Sequence, residues 1–232
     1  MTVLSAIQRA STVIGLDKPS IIYSSTEREH IELGDLANEM AERIASAHDW
    51  TKLTGIATIT GDGSTTAHDL PSDYDRMIVK TNVWSSSLQT PLTHIADLDE
   101  WLGLEVWSYT YVINAWTIYA DQMHIKPALA SSVTAQYWYQ SNLLVSPASG
   151  SNKTRFTADD DTFRLDERLL TLGIIWQWRA NKGLAYAEDL TNYEEEKEKL
   201  IARDKGSRMI RIGGVRMPKG LKTAYPQNIT VS

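Results

Sequence analysis

The chain begins with two stretches in which apolar residues recur every three or four positions, which is the spacing of one face of an α-helix. The first stretch covers residues 2–15 and stops at Gly15. The second starts after Ser25 or Thr26, either of which could cap a helix, and continues to about Trp50. We therefore predict two N-terminal helices.

From about residue 51 the period of the pattern falls to two, which is typical of half-buried strands. Residues 55–60 and 64–70 flank a Gly-Asp-Gly sequence at 61–63, so we predict that they form a hairpin. Pro71 ends the second of these strands. Further strands are predicted at residues 77–84, 106–113, 115–119 and 133–144, with a short helix at 95–103.

Helical periodicity returns at residues 165–182, where Gly183 is placed to stop the helix, and again at 184–205. The pattern predicts an α+β fold in which the N- and C-terminal helices pack into one bundle and carry an antiparallel β-sheet insertion at one end. The four regions are N-terminal helices (1–50), β-rich insertion (51–145), C-terminal helices (146–205) and an extended tail (206–232).

Charge separates this tail from the body. The tail holds five basic residues and no acid, so the body has 23 − 5 = 18 basic residues against 29 acidic ones, a net charge of −11. An acidic body disfavours general binding of nucleic acid, whereas a basic tail favours contact with a partner. The candidate partner-binding residues of the tail are Arg208, Arg211, Arg216, Lys219, Lys222 and Tyr225.

The aromatic composition is biased towards side chains that suit partly buried surfaces. The chain has eight Trp and ten Tyr but only two Phe, and it has no Cys. Trp and Tyr combine an apolar body with a polar group, so they suit either a Trp-rich core or a surface that is covered on assembly. The candidates for a subunit interface are Trp107, Tyr109, Tyr111, Tyr137, Trp138 and Tyr139.

Two other patterns could carry chemistry. The aromatic strands could stack sugars or bases, although packing or a neighbouring subunit would also cover them. Asp159, Asp160 and Asp161, with Asp166 and Glu167, could bind a metal, but they lack calcium-loop spacing and also suit a solvated loop before a helix. We predict no catalytic residue, metal ligand or cofactor.

The order of several short motifs resembles the head-to-tail adaptor, or head-completion, proteins of tailed bacteriophages, including those of gene transfer agents. The motifs lie within residues 3–190: Val13-Ile14-Gly15-Leu16-Asp17-Lys18-Pro19, Leu36-Ala37-Asn38, His48-Asp49-Trp50-Thr51-Lys52-Leu53, Thr58-Ile59-Thr60-Gly61-Asp62-Gly63, Asp69-Leu70-Pro71-Ser72-Asp73-Tyr74-Asp75-Arg76, Phe156, Asp159-Asp160-Asp161, Leu165-Asp166-Glu167-Arg168-Leu169-Leu170, Gly173, Trp176 and Gly183.

This resemblance implies a non-enzymatic virion subunit at the junction of capsid and tail, assembled in the host cytoplasm. It implies a homo-oligomeric ring, usually of twelve copies, beneath the portal protein. The ring would extend the DNA channel without specific DNA binding, dock a tail or nozzle protein, and contact no membrane. The alternatives are a carbohydrate- or peptide-binding module that uses the aromatic sheet face, and a hydrolase that uses the acidic cluster.

Overall fold

The fold was analysed in a computed structural model, which describes residues 2–87, 90–106 and 114–205. The helices in these ranges are α1 (Val3–Ile14), α2 (Arg28–Ser46), α3 (Leu98–Val106), α4 (Glu167–Asn181) and α5 (Ala187–Asp204), with a 3₁₀ turn at Thr51–Leu53. The strands are β1 (Thr54–Thr60), β2 (Ala67–Asp69), β3 (Tyr74–Met77), β4 (Trp84–Ser85), β5 (Thr93–His94), β6 (Ala115–Tyr119), β7 (Gln122–Lys126), β8 (Thr134–Ser141), β9 (Val145–Ser146) and β10 (Thr162–Phe163). None of the helices in the described ranges is long and apolar enough to span a bilayer.

The N- and C-terminal helices share one hydrophobic core, as the sequence predicts. Ile7 of α1, Met40 of α2 and Leu169 of α4 are all completely buried in it. Helix α4 lies at the centre, because α1, α2 and α5 all pack against it. Its Gly173 allows the close approach of α2, since a Cβ at that position would lie 2.7 Å from Cε of Met40. The prediction of an α+β fold with a helical bundle is confirmed.

Helix α2 differs from the prediction at both ends. It begins at Arg28 and its N-cap residue, Glu27, makes no capping hydrogen bond through its side chain. The Ser25 hydroxyl instead accepts a hydrogen bond from the Glu27 amide at 3.2 Å. The helix ends at Ser46 rather than at Trp50, whose Nε1 donates to the Ile44 carbonyl at 2.7 Å. Trp50 therefore folds back beneath the end of the helix and does not extend it.

The insertion consists of two sheets that pack against each other. The first sheet has the order β1-β8-β3, and β4 also pairs with β8; the second has the order β2-β7-β6-β5. All these pairings are antiparallel except that of β5 with β6. Ile59 and Tyr137 of the first sheet share a core with Met123 and Ile125 of the second. The insertion thus has its own core, separate from that of the bundle.

The predicted hairpin of residues 55–60 with 64–70 is wrong. Strand β1 pairs with β8, and β2 pairs with β7 of the other sheet. The Gly61 amide, directly after β1, donates to the carbonyl of Val133 at 2.8 Å. The backbone that follows β1 is therefore still hydrogen-bonded to the residue that precedes β8. The Asp62 carboxylate then accepts hydrogen bonds from the amides of Ser64 and Thr65, at 2.8 and 2.7 Å. This turn leads the chain into the second sheet.

Further predictions in the insertion need correction. The predicted strand at 77–84 is wrong, because residues 78–83 lie in no strand and separate β3, which ends at Met77, from β4, which begins at Trp84. The predicted helix at 95–103 lies three residues later. The β6–β7 hairpin was missed; its two-residue turn, Ala120 and Asp121, has φ of 50° and 58°. Val106 ends α3 and does not begin a strand, while residues 107–113 lie outside the described ranges, so the strand predicted there remains a prediction.

Candidate assembly surface

The first sheet of the insertion has one covered face and one open face. Along β8, Tyr137 and Tyr139 point into the core between the sheets, and Trp138 points outwards with 44% of its surface exposed. Trp138 lies directly opposite Ile56 of β1, which is 54% exposed. Two large apolar side chains therefore stand side by side on the solvent side of the sheet.

This outer sheet face extends across three strands. Gln136 lies opposite Thr58 on one side and opposite Trp84 on the other. The Gln136 amide donates to the Thr58 hydroxyl at 3.1 Å, and Trp84 is 49% exposed. The outer sheet face is defined here as Ile56, Thr58, Trp84, Gln136 and Trp138. Its two Trp side chains are of a kind that protein interfaces enrich, and its lack of charge matches the depletion of charged residues at interface cores.

Two predicted interface residues, Tyr137 and Tyr139, lie in the chain's own core. Tyr137 is 1% exposed and Tyr139 is 8% exposed. The Tyr139 hydroxyl donates to Asp73 at 2.9 Å, and its ring covers Gly55, where a Cβ would lie 2.7 Å away. Burial raises the pKa of the Tyr137 hydroxyl far above its ordinary value. Strand alternation separates these two side chains from Trp138, so of the three only Trp138 reaches the outer sheet face.

Sequence reasoning missed Ile56 and Trp84. The alternation of residues 55–60 does mark Ile56 as facing opposite to Ile59, but only the register with β8 brings it beside Trp138. The remaining interface candidates, Trp107, Tyr109 and Tyr111, lie outside the described residues and stay predictions. The same holds for the tail candidates Arg208, Arg211, Arg216, Lys219, Lys222 and Tyr225.

Protein groups engage four of the five carboxylates of the acidic cluster. Asp159 accepts hydrogen bonds from the amides of Ile22 and Tyr23 at 3.0 and 3.1 Å. Asp166 accepts from the Leu169 amide at 2.8 Å and caps α4. The Ser5 hydroxyl donates to Glu167 at 2.8 Å. These contacts give the acids structural roles in joining loops to helices.

Asp161 is the most deeply buried acid in the cluster, with no exposed surface. Lys153 Nζ donates to it at 2.8 Å, and so does the Thr157 amide. Burial opposes ionisation, but these donors and the Ala158 amide prevail and hold the pKa of Asp161 below its ordinary value. Within the described ranges, no three His, Asp or Glu side chains converge as a metal site would require.

A cleft of about 620 Å³ lies where the insertion joins the bundle. Its lining comes from the end of α2, from β3 and from the end of β8. The lining residues are Glu39, Glu42, Arg43, Ala45, Ser46, Leu53, Asp75, Arg76, Gln140, Ser141, Asn142, Leu144 and Thr154.

Arg76 fixes one wall of this cleft. Its guanidinium donates to the Asp49 carboxylate at 3.3 Å and pairs with Asp75. It also donates to the carbonyls of Ala45 and His48, at 3.3 and 3.0 Å, where α2 ends. A cation at this position satisfies free carbonyls and interacts favourably with the negative end of the helix dipole. One side chain of β3 thus joins the insertion to the bundle.

The architecture is that of an α+β protein in which a helical bundle supports a two-sheet insertion with one open apolar face. Residues 1–217 match the model of the family described as SU10 adaptor protein. The chain therefore belongs to the SU10 adaptor protein family, which gives it a structural role as a bacteriophage adaptor and a place in the virion. No curated protein matches the chain.

Proposed function

We propose that this chain is one subunit of a homo-oligomeric ring of twelve copies that binds beneath the portal, extends the DNA channel and docks the tail. Membership of an adaptor family supports the position between head and tail. The observation that carries the ring is the outer sheet face, because it combines exposed apolar side chains with an absence of charge among its five members.

The charge of the body explains why an uncharged face would matter. Copies of a body with a net charge of −11, from 18 basic and 29 acidic residues, repel one another at long range. Ile56, Trp138 and Trp84 offer a contact in which no like charges have to be desolvated. A ring needs a heterologous contact, so this face would meet a different surface of the neighbouring copy.

We propose that the basic tail, residues 206–232, makes the contact with the portal protein. Residues 206–232 carry five basic side chains and no acid, so they can approach an acidic partner that would repel the body. The acidic body also supports passage of DNA through the channel without specific binding, since few phosphate contacts would form. A relationship of this chain to the adaptors of gene transfer agents is part of the same proposal.

The alternative of a carbohydrate-binding module draws on Trp84 and Trp138, which could stack on sugar rings. A peptide could use the same face. We prefer the adaptor because Ile56 lies directly opposite Trp138. The aliphatic side chain of Ile56 can pack against an apolar protein surface, whereas it offers no hydrogen bond to the hydroxyl groups of a sugar. A glycan array with the intact protein separates the alternatives, because saturable binding lost in Trp138→Ala would support the module.

The decisive experiment compares two substitutions of exposed apolar residues. Ile56→Lys places a charge on the outer sheet face, whereas Val13→Lys places it on α1 at a similar exposure, 54% against 53%. Both proteins should fold equally well by circular dichroism. Electron microscopy with the portal should show rings for Val13→Lys and none for Ile56→Lys. Rings of normal abundance in an Ile56→Lys, Trp138→Lys double variant would refute the role of this face.

The tail is tested separately by a chain that stops at residue 205. We expect this chain to keep its thermal transition, because the bundle core lies before that point. It should lose binding to the portal, and increasing salt should weaken binding of the full chain if charge contributes. Undiminished portal binding by the shortened chain would refute the proposed role of the tail.

A further inference from the structure

The cleft beside Arg76 contains a buried hydrogen-bond acceptor that has no partner among residues 2–87, 90–106 and 114–205. Gln140 is 1% exposed, and its Nε2 donates to the Trp50 carbonyl at 3.2 Å and to the Thr54 hydroxyl at 2.9 Å. Because a carbonyl can only accept, these bonds fix which end of the amide is nitrogen. The Oε1 atom of Gln140 then lies at the opposite end, and no described residue donates a hydrogen bond to it.

Two further acceptors line the same cleft. Oδ1 of Asn142 is buried and also lacks a hydrogen-bond partner within the part of the chain that the structure describes. The carboxylate of Glu42 is exposed and forms no hydrogen bond or ion pair with the described residues. The cationic side chains of the lining are already engaged, since Arg76 pairs with Asp49 and Arg43 with Glu39. The cleft therefore contains hydrogen-bond acceptors without donors, and a cation that carries several N–H donors would suit it.

We propose that the cleft binds an arginine side chain from residues 206–211 of the same chain, which include Arg208 and Arg211. A guanidinium has five N–H donors in one plane, so it can donate to more than one acceptor of the cleft at a time. Lysine suits the site less well, because its ammonium concentrates three donors at one point. The segment has no acid of its own that would compete for the cation.

The position of the end of α5 supports an occupant from the same chain. Asp204, the last residue of the helix, accepts hydrogen bonds from the hydroxyl and the amide of Thr51, at 2.8 and 3.0 Å. Thr51 is two residues before Leu53, which lines the cleft. Four extended residues from Asp204 to Arg208 span up to about 14 Å. A tethered segment also has a high effective concentration at such a site.

This inference goes beyond the proposed portal contact and does not depend on it. Binding of residues 206–211 in the cleft would fix the root of the tail at the junction of bundle and insertion. The remaining residues, 212–232, would still be available to a partner and would include three basic residues, Arg216, Lys219 and Lys222.

The lack of native cysteine allows a direct test in the full-length protein. Ser46→Cys introduces a thiol in the cleft lining, and Ser207→Cys introduces one in the segment, both by near-isosteric changes. The matched control pairs Ser207→Cys with Thr12→Cys, an exposed site in the last turn of α1. That turn lies by the C-terminal end of α4, where Arg179 donates to the Val13 carbonyl. Under mild oxidation the cleft pair should form an intrachain disulfide at least about tenfold faster than the control pair.

Adding Arg208→Gln and Arg211→Gln to the cleft pair should reduce its rate to that of the control, and single variants identify which arginine binds. Three outcomes would overturn the proposal: a cleft pair as slow as the control, a fast rate unchanged by the arginine substitutions, or disulfide-linked dimers without intrachain product. The last would assign the cleft to a neighbouring copy. Because these assays use the isolated subunit, failure here is distinguishable from failure to form a ring on the portal.

Discussion

The helical bundle and the first sheet of the insertion bury their apolar residues to different extents. Ile7 and Leu169 of the bundle are 0% exposed, whereas Ile56 and Trp138 of the sheet are 54% and 44% exposed. The bundle surrounds its central helix α4 with other helices of the same chain. The first sheet has only one face covered by the described residues of the same chain, and the second sheet of the insertion covers it. Buried residues such as Ile7 and Leu169 stabilise the subunit itself, whereas exposed residues such as Ile56 and Trp138 are available for association.

The largest expected difference is between two neighbouring residues of β8. Tyr137→Ala removes a ring from the core of the insertion, which should lower the free energy of unfolding by about 3–5 kcal/mol. Trp138→Ala removes an exposed ring and should change the free energy of unfolding by less than about 1 kcal/mol. Urea unfolding of both purified variants measures the difference.

Tyr137→Phe tests the hydroxyl separately from the ring, because the Tyr137 hydroxyl is buried and has no hydrogen-bond partner among the described residues. Its removal should leave stability unchanged or slightly increase it. Equal losses for Tyr137→Ala and Trp138→Ala would mean that the two faces of the sheet are equally buried in the isolated protein, contrary to the structure.

The next largest effect is expected in the loop before α4, where the partly exposed Lys153 pairs with the buried carboxylate of Asp161. Asp161→Ala leaves Lys153 and the amides of Thr157 and Ala158 without their acceptor, which should cost about 3 kcal/mol. Asp160→Ala is the matched control, because Asp160 is exposed and should cost less than about 0.5 kcal/mol. Thermal unfolding at pH 7 compares them, and similar values would contradict the structural role of Asp161.

A smaller effect is expected at the crossing of α2 and α4. Gly173→Val would force its side chain against Met40, at a cost of about 1–3 kcal/mol that depends on how far Met40 can move. Gly103→Ala on α3 is the control, because a Cβ there meets no atom within 4 Å. It should stabilise the protein by up to about 1 kcal/mol through helix propensity. Destabilisation by Gly103→Ala that equals that of Gly173→Val would contradict this account.

The smallest effect concerns pH. The pKa of Asp161 is lowered in the folded protein, so its contribution to stability is complete above the pKa of the unfolded chain. That contribution is lost as the pH falls through the folded pKa. In acid, the stability of Asp161→Asn should therefore fall less steeply than that of the natural protein between about pH 5 and 2. Parallel pH curves of the two proteins would refute this contribution.

The helices were predictable because their signals are local. The spacing of apolar residues placed α1 within a residue of its observed ends, and Gly183 follows α4 with a positive φ, as a helix stop requires. The end of α2 was not predictable, since it depends on Arg76, which lies 30 residues after Ser46 and caps the carbonyls there. The signal for that contact exists only in three dimensions.

The positions of strands were easier to predict from the sequence than the pairing between strands. The Gly-Asp-Gly sequence at 61–63 resembles a hairpin turn, but hydrogen bonds from Asp62 turn the chain between sheets. The true hairpin turn, Ala120-Asp121, lacks the glycine that usually marks one. For the candidate site, the prediction grouped Trp138 with Tyr137 and Tyr139, although strand alternation places Trp138 on the opposite face of the sheet. Which side faces solvent depends on a second sheet that no local pattern reveals.

Arg76 has a mechanical consequence. The Arg76 guanidinium is carried by β3 of the insertion and bonds to Asp49 and to the carbonyls at the end of α2, so it resists rotation of the insertion relative to the bundle. Every copy of the protein would then hold its bundle and its insertion at one common angle, and in the proposed ring differences in shape would not add up from copy to copy.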